Sequence, residues 1–328
     1  MTTRVYVPRD AAALALGADA VASLLAQTAD VEVVRTGSRG LFWLEPMIEI
    51  ETPKGRIAYG PVKPEDVEPL FAIGWLEGRP DRRCLGRPDE LPFLKRQTRF
   101  TFARCGIVDR LSLADYRAHG GMRGLERALS LGPAAIVEEV TKSGLRGRGG
   151  AGFPTGIKWK TTADAAAVQK YIVCNADEGD SGTYADRMLM EGDPFCLIEG
   201  MAIAGTAVGA TKGFVYIRSE YPHAIETFGR ALAIAREEGV LGAGIAGSAY
   251  DVDIEIRVGA GAYVCGEETA LLDSLEGKRG QVRAKPPLPA HKGAFGQPTV
   301  VNNVISLATV PAILADGADA YRDLGYGR

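Results

Sequence analysis

The sequence is poor in the residues that usually hold metal ions. No two of its five cysteines have C-x-x-C spacing, and its three histidines lie far apart along the chain. A zinc site or a self-contained iron–sulfur cluster therefore has no ligand set, and we predict no metal in this chain. An odd number of scattered thiols is typical of a reduced, cytoplasmic protein. The cysteines are Cys84, Cys105, Cys174, Cys196 and Cys265.

The chain also lacks an excess of charge of one sign and a long apolar run. Its formal net charge is −3 and its pI is about 5.8, so no basic surface for nucleic acid is indicated. The most apolar early segment, residues 11–26, contains Asp19. No run approaches the roughly 20 apolar residues that span a bilayer. We therefore expect a soluble cytoplasmic protein that binds neither nucleic acid nor membrane.

A chain of 328 residues, 46% of them hydrophobic, is long enough for two domains. Residues 1–78 show the order β-α-β-β-β-α, which fits one small domain, and residues 79–132 have the Arg-, Pro- and Gly-rich composition of a connector. In residues 133–328, strands alternate with helices, which favours a parallel, doubly wound sheet. The predicted strands are 4–7, 31–34, 43–51, 56–59, 171–174, 213–217 and 252–257. The predicted helices are 11–27, 64–72, 133–143, 196–208, 223–238, 268–275 and 304–315.

The segment richest in glycine is GLRGRGGAGFPTGIKW, residues 144–159. Its Gly147-x-Gly149-x-x-Gly152 matches the dinucleotide-binding fingerprint literally, but it follows a predicted helix where that fingerprint follows a strand. Bare backbone N–H groups with cations beside them are instead typical of a loop that binds an anion. The neighbouring cations are Arg146, Arg148 and Lys158, and Phe153 is available to stack on a flat ring.

This loop resembles the flavin loop of the family that contains the NADH-oxidising flavoprotein subunit of respiratory complex I. The diaphorase subunits of NAD-reducing hydrogenases and formate dehydrogenases belong to the same family. Three more blocks occur in the family's order, and the resemblance spans residues 144–315. They are NADEGDSGTYADR at 175–187, GAGAYVCGEETALL at 259–272, and the segment 285–303 that begins KPPLPA. The resemblance implies a Rossmann-like FMN/NAD-binding domain with a mainly parallel sheet.

The resemblance implies two sets of ligand-binding residues. FMN is expected at Gly147, Arg148, Gly149, Lys158, Asn175, Asp177, Glu178, Tyr263, Gly266, Glu267, Glu268, Asn302 and Asn303. NAD(H) is expected at Phe153, Asp180, Glu268 and Lys285. Amide and carboxylate side chains suit the donors and acceptors along an isoalloxazine edge, and backbone N–H groups with a cation suit the phosphate. No catalytic acid or base is expected, because hydride passes between two cofactor rings.

Several of these residues also have a purely structural interpretation. The six acids within residues 177–193 are ordinarily a solvated surface. Glu267 and Glu268 precede a predicted helix whose N-terminal dipole they could complement. Asn303 could cap the helix that follows it. The two cysteines beside the motifs are expected to be small buried residues: Cys174 and Cys265.

Within the family, the sequence most resembles the diaphorase (beta) subunit of NAD-dependent molybdenum formate dehydrogenases. NADEGDSGT and KPPLPA have the form of that branch. Asp180 stands where glutamate is common in the complex I branch, and Leu288 replaces an aromatic residue found there. The implied partners are a catalytic subunit with molybdenum and iron–sulfur clusters, and a small [2Fe–2S] ferredoxin-like subunit.

Residues 35–67 resemble the thioredoxin-like ferredoxin of the same enzymes, which implies a small thioredoxin-like domain at 1–78. Ser38 and Phe42 stand at two of its ligand positions, and no cysteine precedes Cys84, so a cluster cannot form there. We expect this domain to have kept a docking role. Relatives continue past Arg328 into a [4Fe–4S] segment. The chain is therefore expected to be a fragment, with that cluster in the missing region or on partner subunits.

We therefore predict an FMN-dependent NAD⁺/NADH oxidoreductase subunit. It would exchange hydride with NAD(H) and single electrons with the iron–sulfur clusters of a multisubunit formate dehydrogenase. The complex I and hydrogenase branches are alternatives. Two alternatives of other classes are a self-sufficient NAD-dependent dehydrogenase with a Rossmann loop at 147–152, and a non-catalytic docking scaffold.

Overall fold

The computed structural model describes residues 2–324, which divide into two compact units. The first unit runs to Ser112 and includes Glu191–Asp193. The second unit contains Leu113–Met190 and the chain from Pro194 onwards. No helix in this described part of the chain has the length and apolar character needed to cross a membrane.

The predicted connector, residues 79–132, is divided between the two units. Its strand Cys84–Gly86 pairs with an edge of the first sheet, whereas its helix Arg123–Leu131 packs on helix Val304–Asp316 of the second unit. The division of the chain thus differs from the boundaries expected after residues 78 and 132. Composition alone indicated a linker, but the short elements inside it have packing partners.

The first unit is built on a five-stranded mixed sheet. Its strands are β1 Thr3–Pro8, β2 Val31–Thr36, β3 Ile48–Thr52, β4 Gly55–Tyr59 and β5 Cys84–Gly86. Its helices are α1 Ala11–Ala15, α2 Ala18–Ala26, α3 Val67–Ala72 and α4 Pro92–Lys95. The strand order is β2-β1-β3-β4-β5, in which β1 and β2 are parallel and the other neighbouring pairs are antiparallel. A β-α-β unit followed by an antiparallel hairpin is the expected thioredoxin-like arrangement.

Two predicted elements of this unit are shorter than expected. The helix predicted at residues 11–27 is interrupted by Gly17, whose φ of 98° is outside helical geometry. The strand predicted at residues 43–51 begins only at Ile48, after a 3₁₀ turn and Pro46. Proline cannot donate to a strand ladder, which explains the late start.

The positions that correspond to iron–sulfur ligands have other environments here. Ser38 is buried and its hydroxyl donates to Glu45 Oε1 at 2.6 Å, while Phe42 begins the 3₁₀ turn Phe42–Leu44. None of the five cysteines, all of which lie within residues 2–324, forms a disulfide. Between residues 2 and 324, no group of three or more His, Cys, Asp or Glu side chains could hold a metal ion.

The second unit contains a parallel four-stranded sheet, which confirms the predicted α/β class. Its strands are β6 Tyr171–Ala176, β7 Lys212–Ile217, β8 Asp253–Val258 and β9 Thr299–Asn303, and they lie in the order β8-β7-β6-β9. The longer helices are α6 Arg123–Leu131, α7 Pro133–Lys142, α8 Thr155–Asp164, α9 Ala185–Gly192, α10 Pro194–Val208, α11 Pro222–Glu237, α12 Glu268–Leu275 and α14 Val304–Asp316. Three short helices are α5 Leu113–Ala118, α13 Pro289–Lys292 and α15 Ala318–Arg322.

Helix α10 forms the centre of the helical layer. Every residue of PFCLIEGMAIAGTAV is buried, as expected for a helix that is apolar on all sides. It packs against α14 so closely that a Cβ on Gly200 would lie 2.1 Å from the Leu307 carbonyl oxygen. The helices predicted along this unit are confirmed within two residues at each end. Strand β9 and helices α6, α8, α9, α13 and α15 were not predicted.

Candidate functional site

The cleft of the second unit lies where the strand order changes direction. From β6 the chain adds β7 and β8 on one side, and β9 then returns to the other side of β6. In the aligned register, Cys174 pairs with Asn302 and Asn175 with Asn303, so the polar ends of both strands meet. Open α/β sheets bind ligands outside the carboxyl ends of their strands at such a point.

Two adjoining cavities of about 430 and 680 Å³ form this cleft. Such volumes are within the usual range for small-molecule and cofactor sites. They share the lining residues Gly149, Asn175, Gly266, Glu267 and Asn303. All the residues predicted from the sequence to bind FMN or NAD(H) line one cavity or the other, although they lie far apart in the chain.

The two predicted ligand sets do not separate cleanly between the cavities. Phe153, Glu268 and Lys285 line the smaller cavity, whereas Asp180 lines the larger one. The predicted FMN residues occur in both. The structure thus brings the residues together, and the ligand that each one contacts stays a prediction.

The glycine-rich segment is a closed loop between helices α7 and α8. Its stem is held by hydrogen bonds from Gly147 N to Phe153 O at 2.8 Å and from Thr155 N to Leu145 O at 2.9 Å. The loop follows a helix and not a strand, so the geometry of the literal Rossmann fingerprint is absent. A Cβ on Gly149 would lie 3.2 Å from Asn303 Cβ, so the bare backbone brings loop and β9 together.

A chain of alternating charges lies along the smaller cavity. Lys158 Nζ donates to the Val301 carbonyl oxygen at 2.8 Å and to Glu268 Oε2 at 3.3 Å. Lys285 Nζ donates to Glu268 Oε1 at 2.8 Å and to Glu267 Oε1 at 2.9 Å. Glu268 therefore lies between two ammonium groups, each of which has three N–H donors and two acceptors here, so that one donor is left for an anionic ligand.

Glu267 has the structural role that its position before a helix suggested. Its Oε2 accepts from Thr269 N at 2.8 Å and from Ala270 N at 3.0 Å, which caps α12. Partial burial would raise its pKa, but the hydrogen bonds from Thr269, Lys285 and the helix N–H groups lower the pKa to about 2. Glu267 is therefore ionised throughout the neutral range.

The three predicted asparagines fix the backbone around the cleft. Asn175 Nδ2 donates to the Gly266 carbonyl oxygen at 2.8 Å, which ties the end of β6 to the loop before α12. Asn302 Oδ1 accepts from Trp159 Nε1 at 2.9 Å. Asn303 Oδ1 caps α14 by accepting from Ile305 N at 2.9 Å, so the predicted capping role is confirmed. Because the cap uses only Oδ1, the amide nitrogen of Asn303 can still donate to a ligand.

Asp177 has an unsatisfied oxygen beside the larger cavity. Its Oδ2 is buried and has no hydrogen-bond partner within the described residues. Burial raises the pKa of Asp177 to about 6, while Arg218 lowers it and Glu220 raises it. A buried acceptor without a partner carries a desolvation cost of about 1–3 kcal/mol, which a donor on a bound ligand would remove.

The acids within residues 177–193 are not the solvated surface that their number suggested. Four of the six are at most 7% exposed: Glu178, Asp186, Glu191 and Asp193. The exposed member is Asp180, whose Oδ1 accepts from the hydroxyl of Tyr263 at 2.7 Å. Tyr263 is itself 70% exposed, so this pair lies at the rim of the larger cavity.

Sequence reasoning missed Asp186 as a site residue. It lies in the first turn of α9, lines the larger cavity and is 3% exposed. Burial and the nearby Glu178 raise its pKa to about 8. The residue belongs to the NADEGDSGTYADR block, but a single acid at a helix start resembles an ordinary dipole partner. Only the tertiary contact with Asn303 distinguishes it.

The α/β cleft defines a nucleotide- or flavin-binding class of protein, and comparison with known proteins specifies it further. Residues 140–312 match the family described as the Nuo51 FMN-binding domain. The chain belongs to this family, because the match covers more than half of it.

Relatives agree with this family. The chain is 54% identical over 231 residues, 70% of its own length, to the NADP-reducing hydrogenase subunit HndC of Solidesulfovibrio fructosivorans. It is 50% identical over 214 residues, 65% of its length, to one subunit of the NADH-quinone oxidoreductase of Aquifex aeolicus. These matches cover 47% and 50% of the relatives, so the chain spans about half the length of the curated relatives it matches.

A solved structure extends the likeness to both units. The fold resembles an NAD⁺-reducing [NiFe]-hydrogenase chain in the H₂-reduced state, with a TM-score of 0.57 and 32% identity. The match covers 97% of this chain and 53% of that one. Counterparts of both units thus occur together in that hydrogenase chain.

The residues of the cleft fit FMN. Glycines of the loop line the cleft without side chains, and Lys158 supplies a cation in the same cavity, which suits a phosphate. The unsatisfied Asp177 Oδ2 is an acceptor for a ring N–H. The arrangement therefore supplies both chemistries that the phosphate and the ring of FMN need.

Proposed function

We propose that this chain is the FMN- and NAD(H)-binding part of a multisubunit oxidoreductase. The observation that carries the proposal is the single cleft at the β6–β9 switch point, which collects every residue predicted for both ligands. The family match and the names of the relatives support it. FMN is assigned to Gly147, Arg148, Gly149, Lys158, Asn175, Asp177, Glu178, Tyr263, Gly266, Glu267, Glu268, Asn302 and Asn303. NAD(H) is assigned to Phe153, Asp180, Glu268 and Lys285.

When bound, FMN supplies the exchange of a hydride with NAD(H) and of single electrons with iron–sulfur clusters. The chain's own residues bind and orient. Lys158 and Lys285 balance the negative charge of phosphates, and Glu267 and Glu268 hold these ammonium groups in place before a ligand arrives. No residue is assigned as a proton donor in hydride transfer.

The first test is an absorbance spectrum of the purified chain, recorded before and after anaerobic addition of NADH. A flavin band that NADH bleaches is expected. A flavin band that NADH leaves unchanged would remove the NAD(H) half of the proposal. A colourless chain that does not take up added FMN would remove the FMN half and favour the docking scaffold.

Phe153 is proposed to stack on NAD(H), because its ring lines the smaller cavity and is 47% exposed. Phe153→Ala should raise the KM for NADH about two- to twelvefold while FMN stays bound, since an aromatic stack contributes about 0.5–1.5 kcal/mol. Steady-state kinetics with an artificial electron acceptor measure the effect. Ile157→Ala is the control: Ile157 is 50% exposed one turn further along and does not line the cavity. Equal KM values for both variants would contradict the assignment.

We further propose that the electron donor is a molybdenum formate dehydrogenase subunit, with a [2Fe–2S] ferredoxin-like subunit as a second partner. The support is the form of NADEGDSGT and KPPLPA, which resembles that branch. The hydrogenase and complex I branches are the competing candidates, because the relatives carry those names. Metal analysis of the native complex discriminates between them. Molybdenum with formate-dependent reduction of the flavin is expected, whereas nickel with hydrogen-dependent reduction would replace this partner.

A further inference from the structure

Two carboxyl groups lie together in the wall of the larger cavity, and both are buried. Glu178 is 7% exposed and Asp186 is 3% exposed. They are directly connected, because the backbone N–H of Asp186 donates to Glu178 Oε1 at 2.9 Å. Both side chains line the same cavity, and burial there makes a charge on one carboxyl group disfavour a charge on the other.

The two carboxyl groups accept different numbers of hydrogen bonds. Glu178 accepts from the backbone N–H groups of Asp186 and Arg187 and from the hydroxyl of Tyr221 at 3.0 Å. The side chain of Asp186 accepts from Asn303 Nδ2 at 2.6 Å, with a smaller contribution from the Ile305 N–H. Three donors therefore reach the Glu178 carboxyl group and two reach that of Asp186, and the smaller number of donors favours the neutral form of Asp186.

The other groups that face Asp186 do not change this assignment. Its titratable neighbours are Glu178 and Cys174, of which Cys174 lies in β6. Burial, followed by the Asp186 charge, raises the pKa of the Cys174 thiol. Cys174 therefore supplies no positive charge. Burial, followed by the Glu178 charge, raises the pKa of Asp186 to about 8, although the Asn303 hydrogen bond lowers it.

We propose that Asp186 is a positioning residue that is a neutral carboxylic acid in the folded chain, and that this neutrality is required for tight FMN binding. Its Oδ2 accepts from Asn303, and the neutral acid has one O–H donor at the cavity that Asp186 lines. The same contact fixes Asn303, whose Oδ1 is committed to the α14 cap. The inference rests on the proposed FMN site.

Ionisation of Asp186 would place a second negative charge beside Glu178 in a cleft that binds a phosphorylated ligand. If only the neutral form binds, the apparent Kd is divided by the neutral fraction. With a pKa of about 8, that fraction falls about tenfold between pH 7 and pH 9. FMN binding is therefore expected to be tight below pH 8 and to weaken about tenfold by pH 9.

The test is a titration of the flavin-depleted chain with FMN, followed by quenching of flavin fluorescence at pH 7 and pH 9. Asp186→Asn keeps an acceptor for Asn303 and cannot ionise, so its Kd should be the same at both pH values. Asp164→Asn is the matched control, because Asp164 is an exposed acid at the end of α8 that lines neither cavity of the cleft. This control should keep the tenfold loss of the unmodified chain.

The outcomes separate the inference from the proposed function. No FMN binding by the unmodified chain at pH 7 would overturn both. Tight binding with the same pH response in the unmodified chain and in Asp186→Asn would overturn the inference alone. If Asp186→Asn does not fold by circular dichroism, Asp186→Ser supplies a second neutral side chain with the same expected insensitivity to pH. A purely structural role for Asp186 would change the Kd without removing its pH dependence.

Discussion

Gly149→Val should abolish tight FMN binding while leaving the fold of the second unit intact. The Cβ of any side chain at this position would lie 3.2 Å from Asn303 Cβ, and the two γ-methyl groups of valine add bulk at a residue that lines both cavities of the cleft. Asn303 cannot move freely, because it caps α14 and donates to Asp186. Overpacking of this kind costs about 3 kcal/mol, which is roughly a hundredfold in Kd.

Fluorescence titration with FMN measures this loss, and circular dichroism checks the fold. Gly149→Ala should give an intermediate Kd, because it adds one methyl group instead of three carbons. Gly229→Ala in α11 is the matched control: its Cβ would have an ordinary 3.7 Å contact with Ile256, and the residue lines neither cavity of the cleft. A Gly149→Val chain that binds FMN as tightly as the control would show that the loop does not approach the ligand.

Elements with strong local signals were predicted from the sequence, whereas elements that depend on tertiary contacts were missed. Helix α12 was predicted with its observed bounds because its apolar periodicity and its capping acids are local. Strand β9 was missed because it has five residues and lies inside a segment interpreted as a binding motif. Helix α8 was missed because Gly156 and the threonines of TGIKWKTTAD weaken the helical signal, and burial of Trp159 compensates for that.

The candidate site shows the same division. The resemblance to a known family identified residues that line one cleft in the structure. They could be identified because each lies in a glycine-rich or polar block that is recognisable in the sequence. The hydrogen bond between Asp186 and Asn303 joins residues 117 positions apart, and no local sequence pattern predicts it. The acid-rich composition around Glu178 suggested an exposed side chain, but Glu178 is buried. The backbone N–H groups of Asp186 and Arg187 and the hydroxyl of Tyr221 supply the donors that an exposed acid would find in water.

Glu199→Ala should strongly destabilise the second unit. Glu199 is the one charged residue of the fully buried helix α10. Its carboxylate accepts from the hydroxyl of Tyr116, from Met122 N at 2.9 Å and from Leu125 N at 2.8 Å. It thereby anchors the start of α6, where Met122 has the left-handed φ of 67° that non-glycine residues rarely adopt.

Truncation would leave a hydroxyl and two backbone N–H groups without this acceptor in a buried environment. Each unsatisfied group costs about 1–3 kcal/mol, and the cavity relaxes only in part, so we expect a loss of about 3–5 kcal/mol. Urea unfolding followed by circular dichroism measures the loss, and hydrogen exchange should show reduced protection of the first amides of α6. Glu226→Ala on the exposed face of α11 is the control and should stay within about 0.5 kcal/mol. If the two variants unfold at the same urea concentration, Glu199 does not hold α6 on α10, and the left-handed Met122 must be stabilised by packing alone.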